Sequence, residues 1–266
     1  MLSKLLLSLG ISLCAYIQTS QEPIFRVYNG TAIVAFWSKD KLWLAADSKV
    51  VIRTKGQKDS ILYVKKVYNK GKYSYALAGK AKVDGIGPLS FSADIDLDNL
   101  IPVSHNGKEL IKKFSDIIIP KMEKALDLGF KLGKLDFDSI KNFPILDLIL
   151  CEFQAPGSPV VYNMPYIIEG TVSNWHVAQI SKEILPIKNF PFTSGGNDAE
   201  VDYFLHNINP YYFETGDINC KLDSLIKLAE KYHGYDVGGP INIVEVSRSR
   251  VIWHNNYDCM KPPKKR

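Results

Sequence analysis

The chain is poor in the residues that build metal and redox centres: 4 cysteines, 5 histidines, 4 methionines and 4 tryptophans in 266 residues. The cysteines form no C-x-x-C pair and the histidines show no paired spacing, so neither a metal nor another cofactor is expected. There is no internal repeat. No basic stripe interleaved with aromatics accompanies the formal net charge of +5, so that charge reads as solvation and no nucleic-acid partner is expected. No apolar run is long enough to span a bilayer stably. Only the last six residues, Lys261 to Arg266, have a disordered composition, within a basic tail over 257–266.

What is present is 46% hydrophobic residues, enough for one large domain or two small ones. The N-terminus has the shape of a secretory signal peptide over residues 1–21: a positive start at Lys4, an apolar run from Leu5 to Ala15, then a polar stretch from Gln18 to Pro23. A secreted or periplasmic protein is the expectation. The alternatives are a lipoprotein attachment at Cys14, which Leu13 fits poorly, and a buried N-terminal helix. If the segment is removed, Cys151, Cys220 and Cys259 remain. Cys151 sits in an apolar run and is expected to be inert, and Cys220 with Cys259 is the disulfide pairing to test.

Residues 22–30 read as a connector or propeptide ending in Asn29-Gly30, and residues 31–256 as the domain. Two near-continuous apolar strands, Thr31 to about Trp37 and about Leu42 to Ala46, flank the short charged turn Ser38-Lys39-Asp40-Lys41, a spacing that predicts a hairpin buried on both faces. Such a hairpin brings Thr31 close to Asp47. Val50 to Arg53 read as an extension of the second strand, and the strands to Ala78 read as a four-stranded meander. Residues 80–105 give no clear pattern, with Asp94 to Asp98 a loop or short helical turn. Asn106 caps a helix with Glu109 as its capping-box partner, and Leu110, Ile111, Phe114, Ile117 and Ile118 lie on one face. Strands follow from Ile145, Pro159 and Trp175, then a helix capped by Asn197 and a second starting near Asp217 or Asn219. Two strands after Gly238-Gly239-Pro240 close the chain. This order predicts an α+β fold, a four-layer α/β/β/α sandwich of two antiparallel sheets.

Gly30-Thr31 opening a strand, Ala45-Ala46-Asp47-Ser48-Lys49 closing the next, Lys66-Val67, Ala78-Gly79, Ser194-Gly195 and Val237-Gly238-Gly239 together resemble the proteasome β-subunit branch of the N-terminal nucleophile hydrolases, in an exported variant. The resemblance spans about Thr31 to His254. It implies an N-terminal threonine hydrolase acting on a peptide or amide substrate, with Thr31, Asp47, Lys66, Gly79 and Ser194 as site residues. Cutting before Thr31 would give its hydroxyl a neighbouring α-amine of pKa about 8 as base. Lys66 would disfavour protonation of that amine, Asp47 would hold Lys66, Gly79 would offer an oxyanion N–H and Ser194 would bond the amine.

The sequence departs from the pattern where Ala32 replaces a second Thr or Ser, where Lys49 replaces Arg, and where Gly234 and Val237 replace an Asp and a Ser. Asp236 or Tyr235 are the available substitutes. These departures keep a second reading alive: a catalytically silent subunit of the same fold, acting as a binding or assembly module. A third is an unrelated secreted α/β binding protein. Homo-oligomerisation is left open. Asn29-Gly30-Thr31 is also an N-glycosylation sequon, read as a chance occurrence.

Overall fold

The computed structural model describes residues 26–259 other than 39, 54–57, 85–89, 134, 142, 154–158, 181, 185–191 and 210. The expected signal segment, residues 22–25 and residues 260–266 lie outside the described residues. The architecture is mixed α/β, with three antiparallel sheets and five α-helices among the described residues.

The third sheet contains the start of the described chain. Its order is β5 (Ser60–Tyr63), β4 (Lys49–Arg53), β1 (Arg26–Asn29), β8 (Lys82–Asp84), β9 (Phe91–Ser92). The first sheet runs β14 (Phe192–Gly196), β2 (Ala32–Trp37), β3 (Lys41–Ala46), β15 (Ile241–Ser247), β16 (Val251–Tyr257). The second runs β12 (Asn174–Gln179), β11 (Pro159–Thr171), β10 (Leu146–Phe153), β7 (Tyr73–Gly79), β6 (Val67–Lys70), with β13 (Lys182–Ile184) also on β11. The helices are α1 (Ala93–Leu100), α2 (Gly107–Lys131), α3 (Phe137–Ile140), α4 (Ala199–Tyr203) and α5 (Ile218–His233).

Alternation along β2 explains its unbroken apolar sequence. Ile33, Ala35 and Trp37 share a buried cluster with Ala76, Ala78 and Ile149 of the second sheet. Ala32, Val34 and Phe36 point the other way, into a cluster with Leu222, Leu225, Ile226 and Ala229 of α5. A strand covered on both faces has no polar side to show. The far face of the second sheet packs through Leu148 and Leu150 against Leu110, Phe114, Ile118 and Met122 of α2.

Helix α2 begins as its cap signature requires. The Asn106 side chain accepts from Glu109 N at 2.9 Å, and Glu109 reaches back to His105 N at 2.9 Å. It continues through Pro120, and Ile117 lies off its buried face. Asp217 caps α5 by accepting from Asn219 N and Cys220 N. Cys220, in the first turn of α5, is disulfide-bonded to Cys259 just past β16, and Cys151 is a buried free thiol whose pKa burial pushes up.

Several expectations need correction. The part of the 22–30 connector that is described, Arg26–Asn29, is a strand paired on both sides. Lys49–Arg53 does not extend β3 but leaves for another sheet, because Lys49 N is taken by Gly238 O and the Asp47 carboxylate. The expected meander is three hairpins, one in each sheet, so the strands form three sheets rather than two. Ser194-Gly195-Gly196 is itself strand, and the next helix has its N-cap at Asp198, not Asn197. Asp94 to Asp98 is part of an eight-residue helix.

Candidate active site

Thr31 stands at the junction of two sheets. Before it, β1 lies in the third sheet; after it, β2 enters the first. The chain makes this crossing through Gly30 at φ 100° and Thr31 at φ 154°. The positive φ at Gly30 requires glycine, and an added Cβ would meet the Asp236 carbonyl oxygen at 2.0 Å. For a β-branched threonine the same sign of φ is strained, and the surrounding contacts hold it there.

Those contacts grip the peptide unit after Thr31 at both ends. The Thr31 carbonyl accepts from Asn197 N at 2.8 Å, and the next N–H, of Ala32, donates to Asp47 Oδ1 at 2.9 Å. The Thr31 hydroxyl is buried and has no hydrogen-bond partner among the described residues.

Asp47, at the end of β3, is fully buried and also accepts from Lys49 N at 3.0 Å and Gly238 N at 3.1 Å. Lys66, just before β6, brings its Nζ to 3.4 Å from Asp47 Oδ2 and 3.4 Å from the Gly30 carbonyl oxygen, and it donates to Lys49 O. Its neighbour Lys65 points away and lies over the Trp253 ring at 3.3 Å. Burial pushes the Lys66 pKa down, opposed by the charges of Asp47 and Asp236. Burial pushes the Asp47 carboxyl up, opposed by Lys66 and by its three backbone donors. The result is a lysine that holds its proton less tightly than in water, beside the one peptide bond that precedes Thr31.

Gly79, at the end of β7, takes φ 78°, and a Cβ there would lie 2.6 Å from the Ile145 carbonyl oxygen. A cavity of about 370 Å³ is lined by Thr31, Gly30, Lys66 and Gly79 at one side and by apolar residues including Val50, Leu62 and Leu77 elsewhere. Thr31, Lys66 and Gly79 therefore meet in one place, with Asp47 behind Lys66. Ser194 is placed differently. It pairs with Val34, whose side chain faces α5, and it does not line the cavity. The residues of that strand end that reach Thr31 are Gly196 and Asn197.

Three contributors were given no site role from the sequence. Asn197 N holds the Thr31 carbonyl, Gly238 N holds Asp47, and Asp147 Oδ2 accepts from Gly196 N at 2.8 Å. Backbone donors leave no sequence signal. Asp147 does leave one: it is the lone charge in the apolar run Ile145-Leu146-Asp147-Leu148-Ile149-Leu150. Asp236, weighed from sequence as a substitute carboxylate, abuts Gly30 through its backbone, whereas Tyr235 is exposed.

No family model matches the sequence, and no curated protein matches it. The structure is similar to that of a mutant of Anbu from Hyphomicrobium sp. strain MC1, with a TM-score of 0.51 and 16% sequence identity over 85% of this chain and 87% of that one. The fold is proteasome-like. At that identity the likeness concerns the fold, and the site must be judged on its own geometry. Among the described residues, no helix is long and apolar enough to cross a membrane. No group of three or more His, Cys, Asp and Glu among them could hold a metal ion.

Proposed function

We propose that this chain is an exported threonine hydrolase of peptide or amide bonds, activated by scission of its own Gly30–Thr31 bond, on a four-layer α/β/β/α arrangement of the two larger sheets. The observation that carries the reading is the Lys66 ammonium 3.4 Å from the Gly30 carbonyl oxygen, beside the unpartnered Thr31 hydroxyl. Attack of Thr31 Oγ1 on the Gly30 carbonyl carbon, with the amide nitrogen taking up a proton, converts that amide to an ester. That shift breaks the Gly30 C–N bond and frees the α-amine of Thr31, and water then hydrolyses the ester to release the Gly30 carboxylate and restore the Thr31 hydroxyl. That amine serves as the base for later turnovers, Lys66 keeps it unprotonated, Asp47 holds Lys66, and the Gly79 N–H faces the developing oxyanion.

The substrate class is supported by β1. Before scission it lies between β4 and β8, with Tyr28 opposite Ile52 on one side and Lys82 on the other. Its departure would leave two strand edges that an extended peptide can pair with, running across the site. Export rests on the signal-like N-terminus.

A catalytically silent module is favoured by one observation: Val237 is fully buried in the apolar cluster, where the resemblance expects a hydroxyl. Intact-mass and N-terminal analysis separates the two readings, with peptidase assays of wild type and Thr31→Ala. The enzyme shows a chain beginning at Thr31 and activity that the alanine abolishes. The silent module keeps the bond and turns over nothing.

A further inference from the structure

Asp147 is a buried carboxylate that the mechanism does not use. It lies mid-sheet in β10, 5% exposed, opposite Ala78 of β7 and Pro165 of β11. An ionised group in such a place is costly, and an apolar residue would suit the strand better. Its Oδ2 accepts from Gly196 N at 2.8 Å. The next residue, Asn197, donates its N–H to the Thr31 carbonyl at 2.8 Å. Gly196 takes φ 79°, and an added Cβ would lie 2.2 Å from that same carbonyl oxygen. The Asp147 side chain also packs on Gly195, whose ideal Cβ would lie 3.6 Å from Asp147 Cβ. The turn that grips Thr31 is thus braced from behind by one carboxylate.

We propose that Asp147 is a positioning residue for Thr31: through Gly196 and Asn197 it fixes the threonine carbonyl and so the direction of the hydroxyl. The proposal rests on the reading of Thr31 as the nucleophile. Asp147 does not touch the hydroxyl, and its effect is geometric. A misplacement of about 1 Å at a reacting atom costs on the order of 10²-fold in rate.

The brace is sensitive to protons. Burial pushes Asp147 up to about 6, against the Gly196 N–H, which favours the ionised form. Asp198, at the N-cap of α4, is pushed up to about 6 by burial, opposed by the Ser194 hydroxyl and reinforced by Asp147 and by Asp202 of α4. The strands on either side present Ala78 and Pro165 opposite Asp147 and add no charge. As the pH falls through 6 the acceptor loses its charge, its hold on Gly196 weakens, and Thr31 is less well placed.

The test uses the full chain as wild type, Asp147→Asn, which keeps an acceptor oxygen, and Asp147→Ala, which does not. Two readouts are followed from pH 5 to 8: the rate at which the Thr31-initiated chain appears by intact mass, and hydrogen exchange at the Asn197 amide. In Asp147→Ala, scission is expected to slow by about 10²-fold and the Asn197 amide to exchange about tenfold faster. In Asp147→Asn, scission at pH 7.5 stays within about threefold of wild type and the inflection near pH 6 disappears, because a neutral acceptor remains. Unchanged Asn197 exchange in Asp147→Ala, or the same inflection in Asp147→Asn, overturns the proposal. Should the alanine variant fail to fold, the asparagine variant and the wild-type pH series decide it. Absence of scission in wild type defeats the nucleophile reading, while Asn197 exchange still judges the brace.

Discussion

At the scale of single residues, the site concentrates costs that a purely structural protein has no reason to bear. Thr31 holds a strained φ of 154°, its hydroxyl is buried without a partner, and Lys66 is 6% exposed. Perturbed, buried titratable groups around a strained residue mark a candidate functional site. Thr31→Ala is expected to abolish both scission and turnover, with the fold retained by near-ultraviolet circular dichroism. Lys66→Ala is expected to lower the scission rate by roughly 10²- to 10⁴-fold, the range for losing a group that moves or holds a proton.

Asp147 gives a test in stability. Its folded-state pKa of about 6 lies above the ordinary 3.8, so the folded chain binds that proton more tightly than the unfolded one. The stability this supplies is present below about pH 4 and is lost as the pH rises through 6, a swing on the order of 3 kcal/mol. Asp147→Asn removes the swing. It is expected to raise the unfolding free energy by roughly 1–2 kcal/mol at pH 7.5 and to give no gain at pH 4.5, measured by urea denaturation at both.

At the scale of elements, the decisive feature is a four-residue strand in the middle of a sheet. Arg26–Asn29 is too short to show a period, and its partners β4 and β8 lie far along the sequence, so the connector reading missed it. The parting of Lys49–Arg53 from β3 was equally hidden, because the bonds that turn the chain come from Asp47 and from Gly238, almost two hundred residues away. Local signals were legible where they were self-contained. The Asn106–Glu109 cap and the apolar stripe of α2 needed nothing distant, nor did the start of α5 at Asp217. Of the site, the hairpin showed that Thr31 and Asp47 are close. The inward turn of Lys66 and the place of Gly79 came from the resemblance, as did Ser194, which the register sets opposite Val34 and outside the cavity lining.

Two outcomes belong to this scale. Gly30→Ala sets a Cβ against Asp236 O and should slow scission at least tenfold, while a chain made to begin directly at Thr31 is unaffected; N-terminal analysis and activity check each half. The Cys220–Cys259 bond closes a 39-residue separation that ties the start of α5 to the end of β16. Its reduction should cost about 4 kcal/mol on the chain-entropy account, seen as a lower urea midpoint.

At the scale of the whole molecule, one buried cluster joins apolar side chains of the first and second sheets, a second joins the first sheet with α5, and a third joins the second sheet with α2. The site lies where the third sheet meets the other two, so the peptide units flanking Thr31 are held by three separate parts of the chain: Asn197 and Asp47 hold the one after it, and Lys66 reaches the Gly30–Thr31 bond before it. A proteasome-like fold can carry such a site or carry only its outline, and the difference lies in whether that bond breaks. The most direct measurement is therefore a time course of intact mass on the purified full-length chain at pH 7.5, beside Thr31→Ala. The expected result is loss of residues 1–30 to leave a product beginning at Thr31, absent in the alanine variant. A wild-type chain that hydrolyses peptides at full rate while residue 30 stays bonded to Thr31 contradicts the mechanism outright.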